Sequence, residues 1–200
     1  MTVETTMDVR RREILEAAAT LIAERGFHSV RIADIAEMVG SSTGAVHYHF
    51  PSKSDVLEAA LTYAVDRAFD RQNEAVRQID SAHERLLKLI DMQLPRLGAP
   101  RQEWAIWLQV WAECTVRPEL RPVHNVYYQR WHDAIAKTVA RGVRQGIYRA
   151  DVDPERFAYE LTSMTDGMAI QVMVNVPGLS VLAMREVLVE FISHSLLVQR

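Results

Sequence analysis

Apolar side chains recur every three or four residues along most of this chain, and no segment shows the sustained alternation of a strand. The first stripe predicts a helix from about residue 9 to residue 25, and its members are Ile14, Leu15, Ala18, Leu21 and Ile22. Further stripes predict eight more helices, at about 31–39, 42–49, 53–79, 82–94, 102–116, 118–146, 154–174 and 181–198. The predicted fold class is therefore all-α.

Glycine, proline and capping residues mark the breaks between these helices. Gly26 and Gly40 lie where C-terminal caps are expected, and Pro95 ends the fifth helix. Ser52, followed three residues later by Asp55, resembles a capping box at the start of the fourth helix. Three short helices followed by six longer ones predict two domains, residues 1–52 and residues 53–200, connected by the fourth helix.

The second and third helices meet at Gly40, and this arrangement is typical of a helix-turn-helix. In that motif the second helix enters the major groove of DNA, so its outward side chains determine which sequence is read. Gly44 and Ala45 lack bulk and let the helix approach the groove closely, whereas Val46 and Phe50 are predicted to face the core. The other candidates for contact with phosphates or base edges are Ser42, Thr43, Tyr48, His49 and, in the first turn of the next helix, Lys53.

Composition limits the partners and the compartment. A length of 200 residues with 48% apolar residues allows a substantial core, and no apolar run is long enough to span a bilayer. The first residues lack the apolar segment of a signal peptide, so we expect a cytoplasmic protein. The single cysteine, Cys114, excludes an internal disulfide and a cysteine-based zinc site. A net charge of −3, with seven acidic and six basic side chains in residues 1–53, neither supports nor excludes DNA binding.

A spaced set of residues surrounds the predicted motif, namely Gly26, Asp34-Ile35-Ala36, Gly40, Ser42, Gly44 and the run Val46-His47-Tyr48-His49-Phe50-Pro51-Ser52-Lys53. This set resembles the TetR family of bacterial transcriptional regulators. The resemblance implies a three-helix DNA-binding domain joined to a larger helical domain that dimerises and binds a small molecule. Two-fold pairing is also what a palindromic operator requires.

Three positions differ from that family's pattern. Arg31 stands where the family usually has Ser or Thr, and an arginine side chain cannot accept a backbone N–H. Either the cap of the second helix is therefore weaker, or Ser29 begins that helix earlier. Ser41 replaces a usual apolar residue, and His47 replaces a common Tyr. Arg31 and His47 stay candidate DNA contacts, and contact through His47 would strengthen binding below its reference pKa of about 6.5.

Aromatic side chains are concentrated in the sixth and seventh predicted helices. Trp104, Trp107, Trp111 and Cys114 lie on one helical face, which is a pattern of ordinary core as well as of a ligand pocket. The segment from Trp111 to Trp131 resembles the betaine-pathway regulators within the TetR family. The candidate effector pocket comprises Trp107, Trp111, Cys114, His124, Tyr127, Tyr128, Trp131, Met164, Met168 and Gln171.

The last two predicted helices are apolar on more than one face, which exceeds what one intramolecular contact needs. The family resemblance implies that they pair with the same helices of a second copy; the alternative is a buried hairpin in a monomer. The candidate dimer interface comprises Phe157, Leu161, Met164, Met168, Val172, Met184, Leu188, Phe191, Ile192 and Leu196.

Three function classes follow from these patterns. The first is a ligand-responsive regulator of transcription, a repressor released from a palindromic operator by a small molecule. The second is a helical DNA-binding protein without an effector, and the third is an all-helical enzyme. The common nucleotide and helix-borne metal motifs are absent, and His47 and His49 are two residues apart, so they point away from each other. We therefore expect operator DNA, an effector and a second copy as partners, with no cofactor, metal or membrane.

Overall fold

The computed structural model describes residues 6–197, and it describes the side chains of residues 8–118, 120–122 and 124–197. This part of the chain is helical, as predicted, and its only β-pairing is an isolated bridge between Tyr148 and Leu197. The nine α-helices are α1 (Thr6–Arg25), α2 (Ile32–Met38), α3 (Thr43–His49), α4 (Lys53–Val76), α5 (Ala82–Gln93), α6 (Ala99–Val116), α7 (Arg121–Arg144), α8 (Pro154–Met173) and α9 (Val181–Leu196).

Two of the differences from the predicted bounds lie around the prolines of α6 and α7. Helix α6 begins at Ala99 rather than near residue 102, because Pro100 is tolerated in a first helical turn, where its missing N–H costs nothing. Arg117, which precedes a proline, leaves the helical region with φ −122° and ψ 85°. A 3-10 turn at Pro118–Leu120 therefore separates α6 from α7. The predicted helix end at residue 198 lies outside the described residues.

The apolar side chains form two cores that divide within α4. The first core contains α1, α2, α3 and the beginning of α4 as far as Leu61, and it also takes in Ile106 from α6. The second core begins on α4 at Val65 and extends through α9. The predicted domain boundary, between residues 52 and 53, lies at the start of α4, whereas the division between the cores lies about two turns further on. Helices α4 and α6 thus contribute to both cores.

The turn between α2 and α3 is closed by a glycine with left-handed backbone geometry. Gly40 has φ +60°, a conformation that glycine adopts without the steric cost of a Cβ. The N–H of Gly40 donates to the carbonyl of Glu37, and the N–H of Ser41 donates to the carbonyl of Ala36, at 3.0 and 2.8 Å. This pair of bonds is a Schellman motif, and it fixes the angle at which α3 leaves α2.

The start of α2 answers the question raised by Arg31. Arg31 is the N-terminal cap and Ser29 ends a separate 3-10 turn (Phe27–Ser29), so Ser29 does not begin α2 earlier. The Asp34 carboxylate accepts the backbone N–H of Arg31 at 2.9 Å, which is one half of a capping box. The other half is missing because arginine has no side-chain acceptor.

A Gly-x-x-x-Gly spacing in α7 and the turn after it has a packing role. A Cβ at Gly142 would collide with the ring of Tyr148, which is buried against this position after the chain turns at Gly146.

Among residues 6–197, no helix is both long and apolar enough to cross a membrane.

Candidate DNA-reading surface and effector cavity

Helix α3 presents a polar face with little bulk to solvent. The Ser42 hydroxyl caps the helix by accepting the N–H of Ala45 at 3.2 Å. Val46 and Phe50 are buried, as predicted, and anchor α3 to the first core. The side chains left on the outer face are those of Thr43, His47 and Tyr48, and Tyr48 is 73% exposed, which is unusual for an aromatic ring in a folded monomer. The ring of His49 lies edge-on to that of Tyr48.

Two basic side chains beside α3 already have partners within the chain. The Lys53 Nζ donates to the carbonyl of His28 at 2.9 Å. The backbone of Lys53 lies within a complete capping box that Ser52 and Asp55 form. The Arg31 guanidinium donates to Asp34 at 2.9 Å, and this pairing raises the pKa of Arg31 and lowers the pKa of Asp34. Arg31 is exposed to solvent and Lys53 is partly exposed; their contact with DNA stays a prediction.

A cleft between α4, α6, α7 and α8 has walls made largely of aromatic rings. We name it the aromatic cage, and it encloses about 570 Å³ of space free of protein atoms, its open mouth included. Carboxylates of α6 and α8 also reach it, Glu103 and Asp166 respectively. The rings that line the cage are those of Phe69, Trp104, Trp107, Trp111, Tyr128 and Trp131.

The rings of the cage are held in place by hydrogen bonds that use their polar atoms. The indole N–H of Trp104 donates to the carbonyl of Gln93 at 2.6 Å, and that of Trp111 donates to His124 Nε2 at 3.0 Å. Trp107 lies between them in sequence, with its ring centroid 6.2 Å from that of Trp111. Because these N–H groups are already bonded, the two rings can offer only their π-faces to a guest.

Asp166 places a carboxylate in the cage without a basic partner. Its Oδ2 accepts the hydroxyl of Tyr128 at 2.9 Å, and within residues 8–118, 120–122 and 124–197 no ion pair to it is found. Burial raises the pKa of Asp166 to about 6. Burial, followed by the charge of Asp166, raises the pKa of Tyr128 to about 12, so the tyrosine stays a hydrogen-bond donor. The other carboxylate, Glu103, is different because Arg71 neutralises it at 2.7 Å.

The predicted pocket residues separate into three groups. Trp107, Trp111, Tyr128 and Trp131 line the cage. His124 and Tyr127, together with Trp107, line a second space beside the cage, which we name the side chamber. The residues that line neither space are Cys114, Met164, Met168 and Gln171.

The members of the cage that sequence reasoning missed include Phe69, Trp104 and Asp166. Trp104 belonged to the aromatic stripe but not to the candidate set. Asp166 had a signal, because it is the one charged residue in the otherwise uncharged segment 161–173 of α8. Phe69 had none, since a phenylalanine in an amphipathic helix is typical of any core.

Helix α6 connects the cage to the DNA-binding domain through its opposite face. The Gln109 Oε1 accepts the backbone N–H of Phe27 at 3.2 Å, and the buried Glu113 pairs with His28 Nε2 at 2.7 Å. Arg117, at the end of α6, donates to Glu58 of α4 at 2.9 Å. The contacts of Gln109 and Glu113 hold the 3-10 turn at Phe27–Ser29. The carbonyl of His28 in that same turn accepts the Lys53 ammonium group.

The structure corrects most of the predicted dimer interface. Seven of the ten residues are buried within a single chain, so their side chains cannot form a surface for a second copy. The apolar periodicity had identified the intramolecular core of α8 and α9 instead. Three residues stay partly exposed, namely Met164, Met168 and Phe191. The seven buried ones are Phe157, Leu161, Val172, Met184, Leu188, Ile192 and Leu196.

Metal-binding groups do not cluster in the part of the chain that the structure describes, since no three His, Cys, Asp or Glu side chains there could hold an ion together. Cys114 is a free thiol whose pKa is raised, chiefly by burial.

Two family profiles match the chain, one on each side of the division between the cores. The profile described as "Bacterial regulatory proteins, tetR family" matches residues 14–60. The profile described as "BetI-type transcriptional repressor, C-terminal" matches residues 82–197, which is more than half of the chain.

Individual proteins give the same result over nearly the full length. A transcriptional regulator from Saccharomonospora viridis, solved in complex with choline, is 46% identical, with a TM-score of 0.90 over 96% of this chain and 99% of that one. A TetR-family regulator from Rhodococcus sp. is 28% identical, with a TM-score of 0.80 over 93% and 97%. The HTH-type transcriptional regulator BetI of Brucella canis is 25% identical over 82% of this chain and 79% of that protein. This chain therefore belongs to the TetR family of bacterial transcriptional regulators, which bind DNA through the helix-turn-helix built by α2 and α3.

Proposed function

We propose that this regulator is a repressor whose effector is a small quaternary ammonium cation bound in the aromatic cage. The observation that carries the proposal is Asp166, a partly buried carboxylate that has no basic partner among the described side chains and that lines the aromatic cage. A buried charge without a partner is costly, so a site of this kind favours a guest of opposite charge.

The rest of the cage suits a cation that cannot donate hydrogen bonds. Aromatic faces attract cations through the ring quadrupole, and each such contact contributes from about 0.5 to 2 kcal/mol when water is excluded. A quaternary ammonium group carries its charge on methyl groups, which pack against indole faces without needing an acceptor. Since the indole N–H groups of Trp104 and Trp111 are already bonded, these two rings have no donor to offer an anion.

The choline complex of the Saccharomonospora viridis regulator supports the same class of effector, because that protein is 46% identical to this chain. Choline combines a trimethylammonium head with a short hydroxylated arm. We infer that this chain acts as a regulator and not as an enzyme, in keeping with the regulators that it resembles.

Helix α6 provides the route from effector to operator. Trp107 and Trp111 on one face of α6 line the cage, and Gln109 and Glu113 on the other face hold the 3-10 turn before α2. A guest that shifts the tryptophans therefore shifts the support of the DNA-binding domain. The expected coupling is reciprocal, so operator binding weakens effector binding by the same factor.

The operator-reading residues that we propose are those on the exposed face of α3 and in the turns beside it. Tyr48 is extended into solvent, and Lys53 can move from the His28 carbonyl to a phosphate, which is a charged and therefore stronger acceptor. The same proposal includes Arg31, Ser42, Thr43, Gly44, Ala45, His47 and His49.

A second copy is expected to pack on the partly exposed face of α8 and α9. Met164 and Met168 are one turn apart on α8, and Val187 and Phe191 are one turn apart on α9. Gly167 lies between the two methionines, and nothing in the chain comes within 4 Å of a Cβ added there. This open space on an apolar face suits the close approach of a symmetry-related helix.

The first prediction tests the charge of the cage. Choline should bind the Asp166→Asn variant at least about 10-fold more weakly than the parent, since removing one partner of a buried charge pair costs about 2 kcal/mol or more. Isothermal titration calorimetry measures this. The neutral isostere 3,3-dimethyl-1-butanol is the matched control, and its affinity should be the same for both proteins. Equal binding of choline to the two proteins would show that Asp166 does not recognise the cation.

The same titration has a pH dependence of fixed sign. Because burial raises the pKa of Asp166 to about 6, the carboxylate is neutral below that pH and cannot attract a cation. Choline affinity should therefore fall by up to about 10-fold between pH 7 and pH 5. The second carboxylate, Glu103, is neutralised by Arg71. The Asp166→Asn variant is titrated over the same pH range, and a profile parallel to that of the parent would contradict the assignment to Asp166.

The second prediction concerns operator contact. Tyr48→Ala and Lys53→Ala should each weaken operator binding at least about 10-fold, which is the size expected for a lost hydrogen bond to a charged group. Fluorescence anisotropy at several salt concentrations provides the measurement, and Lys53→Ala should also reduce the salt slope by about one per subunit. Lys137→Ala, which removes an exposed lysine on α7, is the charge-matched control and should bind like the parent. Loss of the dimer in either variant would assign these residues a structural role.

The third prediction concerns the second copy. Gly167→Arg places a long charged side chain in space that is empty within one chain, so the subunit should fold and yet fail to pair. Light scattering after size exclusion should give about half the parent's mass. Gly167→Ala is the control and should keep the parent's mass. If Gly167→Arg also keeps that mass, the subunits pair through another face.

A further inference from the structure

A second space, the side chamber, lies next to the aromatic cage, and a cation bound in the cage does not occupy it. It holds about 700 Å³ of space free of protein atoms, its mouth included, between α4, α6, α7 and the 3-10 turn at Pro118–Leu120. Val65 and Trp107 line both spaces, so the chamber and the cage share a wall. The two spaces are therefore adjacent, with Val65 and the Trp107 ring between them.

The lining of the side chamber suits an apolar occupant. Leu61, Val110 and Leu120 provide aliphatic surface, and Tyr127 provides an aromatic ring. Its polar side chains are largely bonded to other parts of the chain. Glu58 accepts Arg117 at 2.9 Å and Ser54 at 2.7 Å.

The histidine and the tyrosine of the chamber are satisfied in the same way. His124 Nε2 accepts the indole N–H of Trp111 at 3.0 Å, and the Tyr127 hydroxyl donates to Asp66 at 3.2 Å. An occupant with many polar groups would have to compete with these internal bonds, whereas an alkyl group would disturb none of them.

The position of the side chamber gives its occupant influence over the DNA-binding domain. Leu61 belongs to the first core and Val110 packs against it, while Val65 belongs to the second. An occupant of the chamber thus contacts the two cores at the point where they divide.

From this placement we propose that the effector carries an apolar arm of several carbon atoms on its cationic head, and that this arm occupies the side chamber. The inference rests on the proposed function, because it requires the head to be held in the cage. It narrows the effector class to quaternary ammonium compounds with an alkyl or acyl-type extension.

A series of alkyltrimethylammonium ions tests the arm. Tetramethylammonium has the head alone, and the butyl and hexyl compounds add an arm of known length. The dissociation constant of each ion, measured by calorimetry with the full chain, should fall about two- to fourfold per added methylene group, as expected for burial of apolar surface. An affinity that is constant or decreases with arm length overturns the inference.

Two variants test where the arm lies. Ala59 and Thr62 line the chamber but not the cage, so Ala59→Leu and Thr62→Leu should fill it and remove the gain from the longer arms. Tetramethylammonium should bind both variants as it binds the parent, which also shows that they are folded. If the gain persists in both folded variants, the arm lies elsewhere and the inference is wrong.

The outcomes separate this inference from the function that it extends. Binding of tetramethylammonium without a gain along the series leaves the cage as the effector site and removes only the arm. If neither tetramethylammonium nor any longer ion binds, the proposed function itself fails, and this inference fails with it.

Discussion

The structure depends on α6, which is one of the two helices that contribute to both cores. Trp104, Trp107 and Trp111 recur on one face of α6, and Ile106, Val110 and Glu113 recur on the opposite face. The first set faces the aromatic cage, and the second set supports the DNA-binding domain. Because α6 is one continuous helix, neither face can move independently of the other, and in the proposed function this constraint couples a binding event to the operator.

The electrostatics of the cage centre on the partly buried carboxylate of Asp166. Burial raises the pKa of Asp166, and the direction of this shift determines how its contribution to folding stability changes with pH. Since its pKa in the folded protein lies above the ordinary value of 3.8, the contribution of Asp166 to stability is present at low pH and is lost as the pH rises through about 6. In the proposed function a bound cation offsets this loss at neutral pH, because it pairs with the charge that Asp166 carries there.

The sequence predicts the fold well because periodicity and turn residues report on local structure. The stripes locate all nine helices, and Gly40 marks the turn that the Schellman motif closes. The prediction that Val46 and Phe50 are buried is also confirmed, since a short helix has few ways to place apolar residues. The helix that starts at Arg121 is less well predicted, because the break before it depends on the backbone of Arg117.

The sites are harder to predict, because they depend on which helices meet. Periodicity shows that a face is apolar, but it does not show what covers the face, so Leu188 and Ile192 were assigned to a partner although their own chain buries them. Asp166 becomes informative only when α8 brings it beside Tyr128 and the tryptophans of α6. Phe69 comes from a third helix, far away in the sequence. Contacts of this kind are set by tertiary packing, which a single sequence does not display.

Transmission of effector binding through α6 is measured directly by the coupling factor, which is the ratio of operator affinity without choline to operator affinity with choline. In the parent protein, saturating choline should weaken operator binding by a factor within the usual range of about 5 to 150. The double variant Gln109→Ala, Glu113→Ala removes the hydrogen bond and the ion pair that join α6 to the 3-10 turn at Phe27–Ser29. The coupling factor should therefore fall towards one, while the free protein binds choline as before. Gln102→Ala, on the exposed side of α6, should leave the factor unchanged. An undiminished factor in a folded double variant would contradict the account.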